Sequence, residues 1–176
     1  MTRTLVLYYS LSGNTEKVAK AIFGNIPENK EIKRFTDKFE PTDFDLIFVG
    51  FPVYSFGPIG QAKEFITNSL QGQNIALFMT MSLTAAPASD QVKELYDLTI
   101  QSCRACAEKS NVLGIFDCPG ELSENAANAL LNSEDPMLRM FGSIRHLSIG
   151  FPNEKNIEEA KTFAREICSR FLKNCV

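Results

Sequence analysis

Ser10-Leu11-Ser12-Gly13-Asn14-Thr15 places three hydroxyls, an amide and a glycine between an apolar run and a helix-patterned segment. Backbone N–H groups at a helix start lack intrahelical partners, and the helix dipole there favours an anion. Ser10, Ser12, Asn14 and Thr15 add neutral donors for several phosphate oxygens, and Gly13 lets the backbone approach closely. A Gly-x-x-x-x-Gly-Lys-[Ser/Thr] loop is absent, which argues against a nucleoside-triphosphate site, and no Gly-x-Gly-x-x-Gly follows the apolar run. A lysine-free, hydroxyl-rich loop suits a phosphate monoester held by hydrogen bonds. The same residues also make an ordinary N-cap through Ser12 or Asn14, and the hexapeptide alone leaves both readings open.

Two further segments share that position at a strand end. Gly50 to Pro58 carries Tyr54, Phe56 and Gly57 and closes on a proline that suits a helix start. Thr80-Met81-Ser82-Leu83-Thr84-Ala85-Ala86-Pro87 offers small polar residues, a methionine and alanines. The cysteines point elsewhere. Cys103, Cys106, Cys118, Cys168 and Cys175 are odd in number, which indicates reduced thiols. Cys103-x-x-Cys106 falls inside a helix pattern, and His146 is the chain's one histidine, so a zinc site lacks ligands and packing is the expected role. Cys118 ends a strand on the ligand-binding edge, where an incidental thiol, thiol chemistry and an interface residue all remain open.

Strands must hold these loops. Thr4–Tyr9, Asp45–Gly50 and Ile75–Met79 are continuous apolar runs suited to strands buried on both faces. Residues 30–35 make a weaker strand and Val112–Phe116 a further one. Helical spacing places Val18, Ala19, Ala21 and Ile22 on one helix ended by Gly24, and Ala62, Phe65, Ile66 and Leu70 on another opened by Pro58. Ser89–Lys109 reads as a long helix, 123–132 as a short one and Ile157–Leu172 as the last; 139–149 is ambiguous. This alternation predicts a single α/β domain over 1–176: a doubly wound five-stranded parallel sheet with helices on both faces. Ligands of such sheets sit outside the carboxyl ends of the strands, at the topological switch point.

Composition narrows the partners. A net charge of −3 and a sequence pI near 5.3 argue against nucleic acid and anionic membrane. Residues 85–136 hold nine acids against three bases, an asymmetry that fits a docking surface or simply solvated helix faces. No apolar run reaches the ~18 residues that span a bilayer. Met1–Thr4 carries no cleavable signal pattern, so cytoplasmic residence is the expectation.

Tyr8-Tyr9-Ser10-Leu11-Ser12-Gly13-Asn14-Thr15-Glu16-Lys17 resembles the phosphate loop of the flavodoxin family, and Gly50-Phe51-Pro52-Val53-Tyr54 resembles its Gly-x-Pro-Val-Tyr segment. Gly114–Leu122, Gly150–Glu154 and Ala160–Ala164 continue the resemblance more weakly. It implies a flavodoxin-like sheet of strand order 2-1-3-4-5 and one non-covalent FMN. Ser10, Ser12, Gly13, Asn14 and Thr15 would hold the phosphate, with Leu11 contributing backbone. Pro52, Val53, Tyr54, Ser55, Phe56 and Gly57 would line the ring, with Tyr54 or Phe56 stacking on it. Gly57 is the candidate for a peptide that turns toward flavin N5. Thr80, Met81 and Ser82 would bond the pyrimidine edge through backbone groups; here this chain departs from the family and leaves the ring's second face without an aromatic cover. The implied function is an electron shuttle between a reductase and an acceptor enzyme. An FMN-dependent NAD(P)H:quinone or azo-type reductase and a flavin-free interaction domain are the alternatives.

Overall fold

Continuous apolar stretches leave a strand no wet face, so it must be covered on both sides. A computed structural model, which describes residues 2–174, arranges the chain that way. Strands β1 (Thr4–Tyr8), β2 (Lys30–Arg34), β3 (Leu46–Tyr54), β4 (Gly57–Pro58), β5 (Asn74–Met81) and β6 (Asn111–Pro119) alternate with helices. The helices are α1 (Asn14–Phe23), α2 (Gly60–Ser69), α3 (Asp90–Cys106), α4 (Glu124–Leu131), α5 (Pro136–Ser143) and α6 (Glu154–Asn174). The parallel sheet runs β2-β1-β3-β5-β6, the expected order once the short β4 is set aside. Side chains alternate between two cores. Leu5, Leu7, Val49, Phe51, Leu77 and Met79 meet α2 and α3. Val6, Phe48, Ala76 and Phe78 meet α1 and α6. No helix among the described residues is long and apolar enough to cross a membrane.

Two elements differ from the sequence expectation, and a stretch it leaves ambiguous is resolved. Pro58 does not open α2. The chain folds back through Ser55–Phe56 so that Val53 faces Pro58 and Tyr54 faces Gly57, and the helix begins at Gly60. The hairpin wins because Gly57 and Pro58 become buried in it. The ambiguous stretch resolves into α5 and a 3₁₀ turn at Arg145–Ser148. Asp135 caps α5, its carboxylate accepting from the Met137 N–H at 2.8 Å, and Pro136 occupies the first turn. The final helix starts at Glu154, earlier than expected, because Asn153 and Asn156 exchange side chain-to-backbone hydrogen bonds of 3.1 and 3.2 Å.

Candidate functional site

β1, β3 and β5 end on the same edge of the sheet. Gly13 is the N-cap of α1 at φ +89°, a conformation that glycine alone takes without strain. No side chain caps this helix. The Ser10 hydroxyl accepts instead from the Gly13 N–H at 3.1 Å, tightening the loop behind the helix start. Ser12 and Leu11 are exposed. The other two polar side chains turn inward. Asn14 Nδ2 donates to the Glu121 carbonyl at 2.9 Å. Thr15, 1% exposed, shares a 2.9 Å hydrogen bond with the hydroxyl of Thr80. The first-turn backbone N–H groups and the exposed Ser12 are thus left open to an anion at this edge, while Asn14 and Thr15 brace the loop. An uncapped helix start behind a left-handed glycine fits a phosphate group.

The second loop is a two-residue hairpin turn with Ser55 at φ +48° and Phe56 at φ +60°. Turns of this kind need positive φ at both positions and favour Asn-Gly, so a Ser-Phe pair is strained. Its two aromatics have different environments. Tyr54 is 67% exposed at the rim. Phe56 is half-buried, its ring set edge-on to Phe141 with centroids 6.4 Å apart. Pro52 and Val53 are half-buried along the end of β3, and Ser55 is exposed. Gly57 is paired with Tyr54 in the hairpin and lies so close to α3 that a Cβ would come 2.8 Å from Ser102 Oγ.

In the third loop, Thr80 and Met81 are the buried end of β5. Thr80 holds Thr15, and the Met81 carbonyl accepts from the Gly120 N–H and the Thr84 hydroxyl, each at 3.2 Å. Ser82 opens a 3₁₀ turn and lines a cavity of about 10 Å³, shared with Phe141, Ile144, Arg145 and Ser148. That space suits about one water molecule.

Within the chain from Gly120 to Ser148, the sequence pattern marks Gly114–Leu122 and the short helix at 123–132, but it gives none of these residues a place at the site and does not show α5. Gly120 packs tightly, since a Cβ there would meet Thr80 at 3.1 Å and Asn14 at 3.2 Å. The Glu121 carboxylate accepts from Arg145 and from the Gly150 N–H, both at 3.1 Å. Arg145 Nε also donates to the Leu122 carbonyl at 2.9 Å. The Asp135-Pro136 helix start was the available signal for this segment.

Burial decides the remaining titratable candidates. Cys118 is 1% exposed in the core facing α1 and α6, and burial pushes its thiol up to about 12. It is a packing residue and offers no accessible thiol to the rim. Cys103 and Cys106 are buried under α3, with thiols pushed up by burial to about 12 and about 11. No group of three or more potential metal ligands forms among the described residues. Cys175 lies outside the described residues. On the α3 face of β6, Tyr96 donates to Asp117 at 2.8 Å. Burial raises the Asp117 carboxyl above its ordinary value despite this bond, and burial together with Asp117 pushes the Tyr96 phenol up to about 12.

Comparison with known proteins agrees with this architecture. The flavodoxin-like domain-containing protein BilS of Clostridioides difficile (strain CD3) is 29% identical over 180 residues, covering 94% of this chain and 96% of its own. A flavodoxin from the domain Archaea superposes with a TM-score of 0.55 at 16% identity, covering 96% of this chain and 98% of the other. A flavoprotein from Lactobacillus acidophilus NCFM, solved in complex with FMN, superposes at 0.51 with 21% identity over 73% of this chain and 98% of its own. At these identities the two structures establish a shared fold. The flavodoxin domain family model matches residues 5–165, and the chain belongs to that family.

Proposed function

We propose that the protein binds one FMN non-covalently at the carboxyl edge of its sheet and carries electrons from a reductase to an acceptor enzyme in the cytoplasm. The observation that carries this reading is the start of α1: no side-chain cap, Gly13 at φ +89° and an exposed Ser12 beside it, at the switch point between β1 and β3. The phosphate would rest on the first-turn N–H groups and Ser12. Ser10, Asn14 and Thr15 hold that loop in shape through their own hydrogen bonds. Tyr54 is the aromatic free to cover one ring face. When bound, the flavin supplies the electron-transfer chemistry, and the protein supplies binding and orientation. Residues 85–136, with their excess of acids, would steer a partner that carries the opposite charge.

Purified protein is expected to be yellow and to release one FMN per chain in acid. Recovery of FAD, or of colourless protein that takes up no FMN, would overturn the cofactor. Steady-state NAD(P)H oxidation with a quinone acceptor tests the shuttle. Slow turnover that rises on adding a flavin reductase supports a carrier, and fast turnover by the protein alone makes it a reductase.

A further inference from the structure

We propose that the chain between β6 and α6 sets the shape of the flavin site, with Phe141 as its positioning residue; this rests on FMN binding at that edge. Strand-to-helix connections in α/β units usually take about 2–6 residues. Residues 120–153 instead contain α4, α5 and a 3₁₀ turn. This segment touches each of the three loops that would hold the cofactor. Its Glu121 carbonyl accepts from Asn14 in the first loop at 2.9 Å. Phe141 packs on Phe56 in the second. In the third, the Gly120 N–H donates to Met81 at 3.2 Å, and Ser82 shares a small cavity with Phe141 and Arg145.

The contact with the second loop carries the consequence. Ser55 and Phe56 both hold positive φ without being glycine, and such a turn persists only where its surroundings over-determine it. Phe141 is the aromatic that packs on this turn: it is 8% exposed and belongs to the core beneath α2 and α3 against which Phe56 lies. It is also held firmly. α5 lies so close to α4 that a Cβ on Gly142 would meet the Ala127 carbonyl at 2.9 Å. The ion pair of Arg145 with Glu121, 3.1 Å, ties the 3₁₀ turn that follows α5 to the first loop's partner residue. Tyr54 pairs with Gly57 across the same turn, so the conformation of Phe56 sets where Tyr54 stands at the rim.

The test compares the parent with Phe141→Ala, Phe141→Leu and Phe56→Gly combined with each. FMN affinity, the bound-flavin absorption spectrum and apoprotein thermal unfolding are measured for each. Phe141→Ala is expected to bind FMN roughly tenfold more weakly and to alter the spectrum, with Phe141→Leu between it and the parent. Phe56→Gly is expected to restore roughly threefold of that loss without raising the unfolding temperature, because glycine takes positive φ at no Cβ cost. A merely structural role predicts a further loss of affinity that follows the unfolding temperature, since the double variant lacks both packed rings. Folded Phe141→Ala with parental affinity and spectrum overturns the inference. So does a Phe56→Gly change that gives no gain in affinity in whichever Phe141 background folds, alanine or leucine. A parent that binds no FMN overturns the function itself, and the inference with it.

Discussion

Thr15 and Thr80 share a 2.9 Å hydrogen bond between their hydroxyls, buried beneath the loop that would hold a phosphate. The pair joins the first turn of α1 to the end of β5. It converts a residue whose type suits phosphate binding into one that holds the loop.

Thr15→Val should therefore cost stability more than affinity. It leaves the Thr80 hydroxyl buried without its partner, at about 1–3 kcal/mol. Adding Thr80→Val should recover most of that loss, because both polar groups are then gone. Ser12→Ala should do the reverse, leaving unfolding unchanged and weakening FMN by roughly 1.5–3 kcal/mol. Denaturant unfolding and FMN titration check the three variants. Riboflavin, which lacks the phosphate, should bind the parent and Ser12→Ala alike.

Tyr54 and Phe56 are expected to separate in the same way. Tyr54→Ala should weaken FMN by roughly 1–3 kcal/mol and hardly alter apoprotein unfolding, since the ring is exposed. Phe56→Ala should destabilise the apoprotein by roughly 2 kcal/mol through lost packing on Phe141. Equal unfolding temperatures for the two variants would contradict the assignment.

The Asp117–Tyr96 pair predicts a pH dependence with a defined sign. Burial raises the folded-state value of Asp117 above its ordinary 3.8, so ionisation is penalised in the folded protein. Stability should fall as pH rises from near 3.8 through that raised value. Asp117→Asn keeps an acceptor for Tyr96 and removes the charge, and it should remove this fall. Tyr96, pushed from 10.0 to about 12, adds a second loss of stability between those values, absent in Tyr96→Phe. Unfolding free energy measured across pH for both variants is the check.

Thiol accessibility offers an independent test of the two cores. In a Cys175→Ser background, Cys103, Cys106, Cys118 and Cys168 should react slowly with a disulfide reagent at pH 8. All four are buried, with thiols pushed up to about 11 or 12. Denaturant should expose all four together. Rapid labelling of Cys118 in the folded protein would contradict its place beneath α1 and α6.

Sequence by itself determined the sheet and the location of its edge. Continuous apolar runs such as Thr4–Tyr8 and helical spacing such as Val18, Ala19 and Ile22 are short-range patterns, and burial follows them directly. Gly13 within a hydroxyl-rich strand-to-helix turn is equally local, so the uncapped helix start was legible as an anion site or a cap. Tertiary structure decided what the loop side chains do. Thr15 meets Thr80 and Asn14 meets Glu121 across 65 and 107 positions, and no local pattern encodes a partner that distant. The same holds for Phe56, whose ring packs edge-on to Phe141 from a distant part of the chain. A side chain's type is fixed by the chain, but its direction is set by whichever neighbour completes its packing or its hydrogen bond, and those neighbours meet only when the sheet closes.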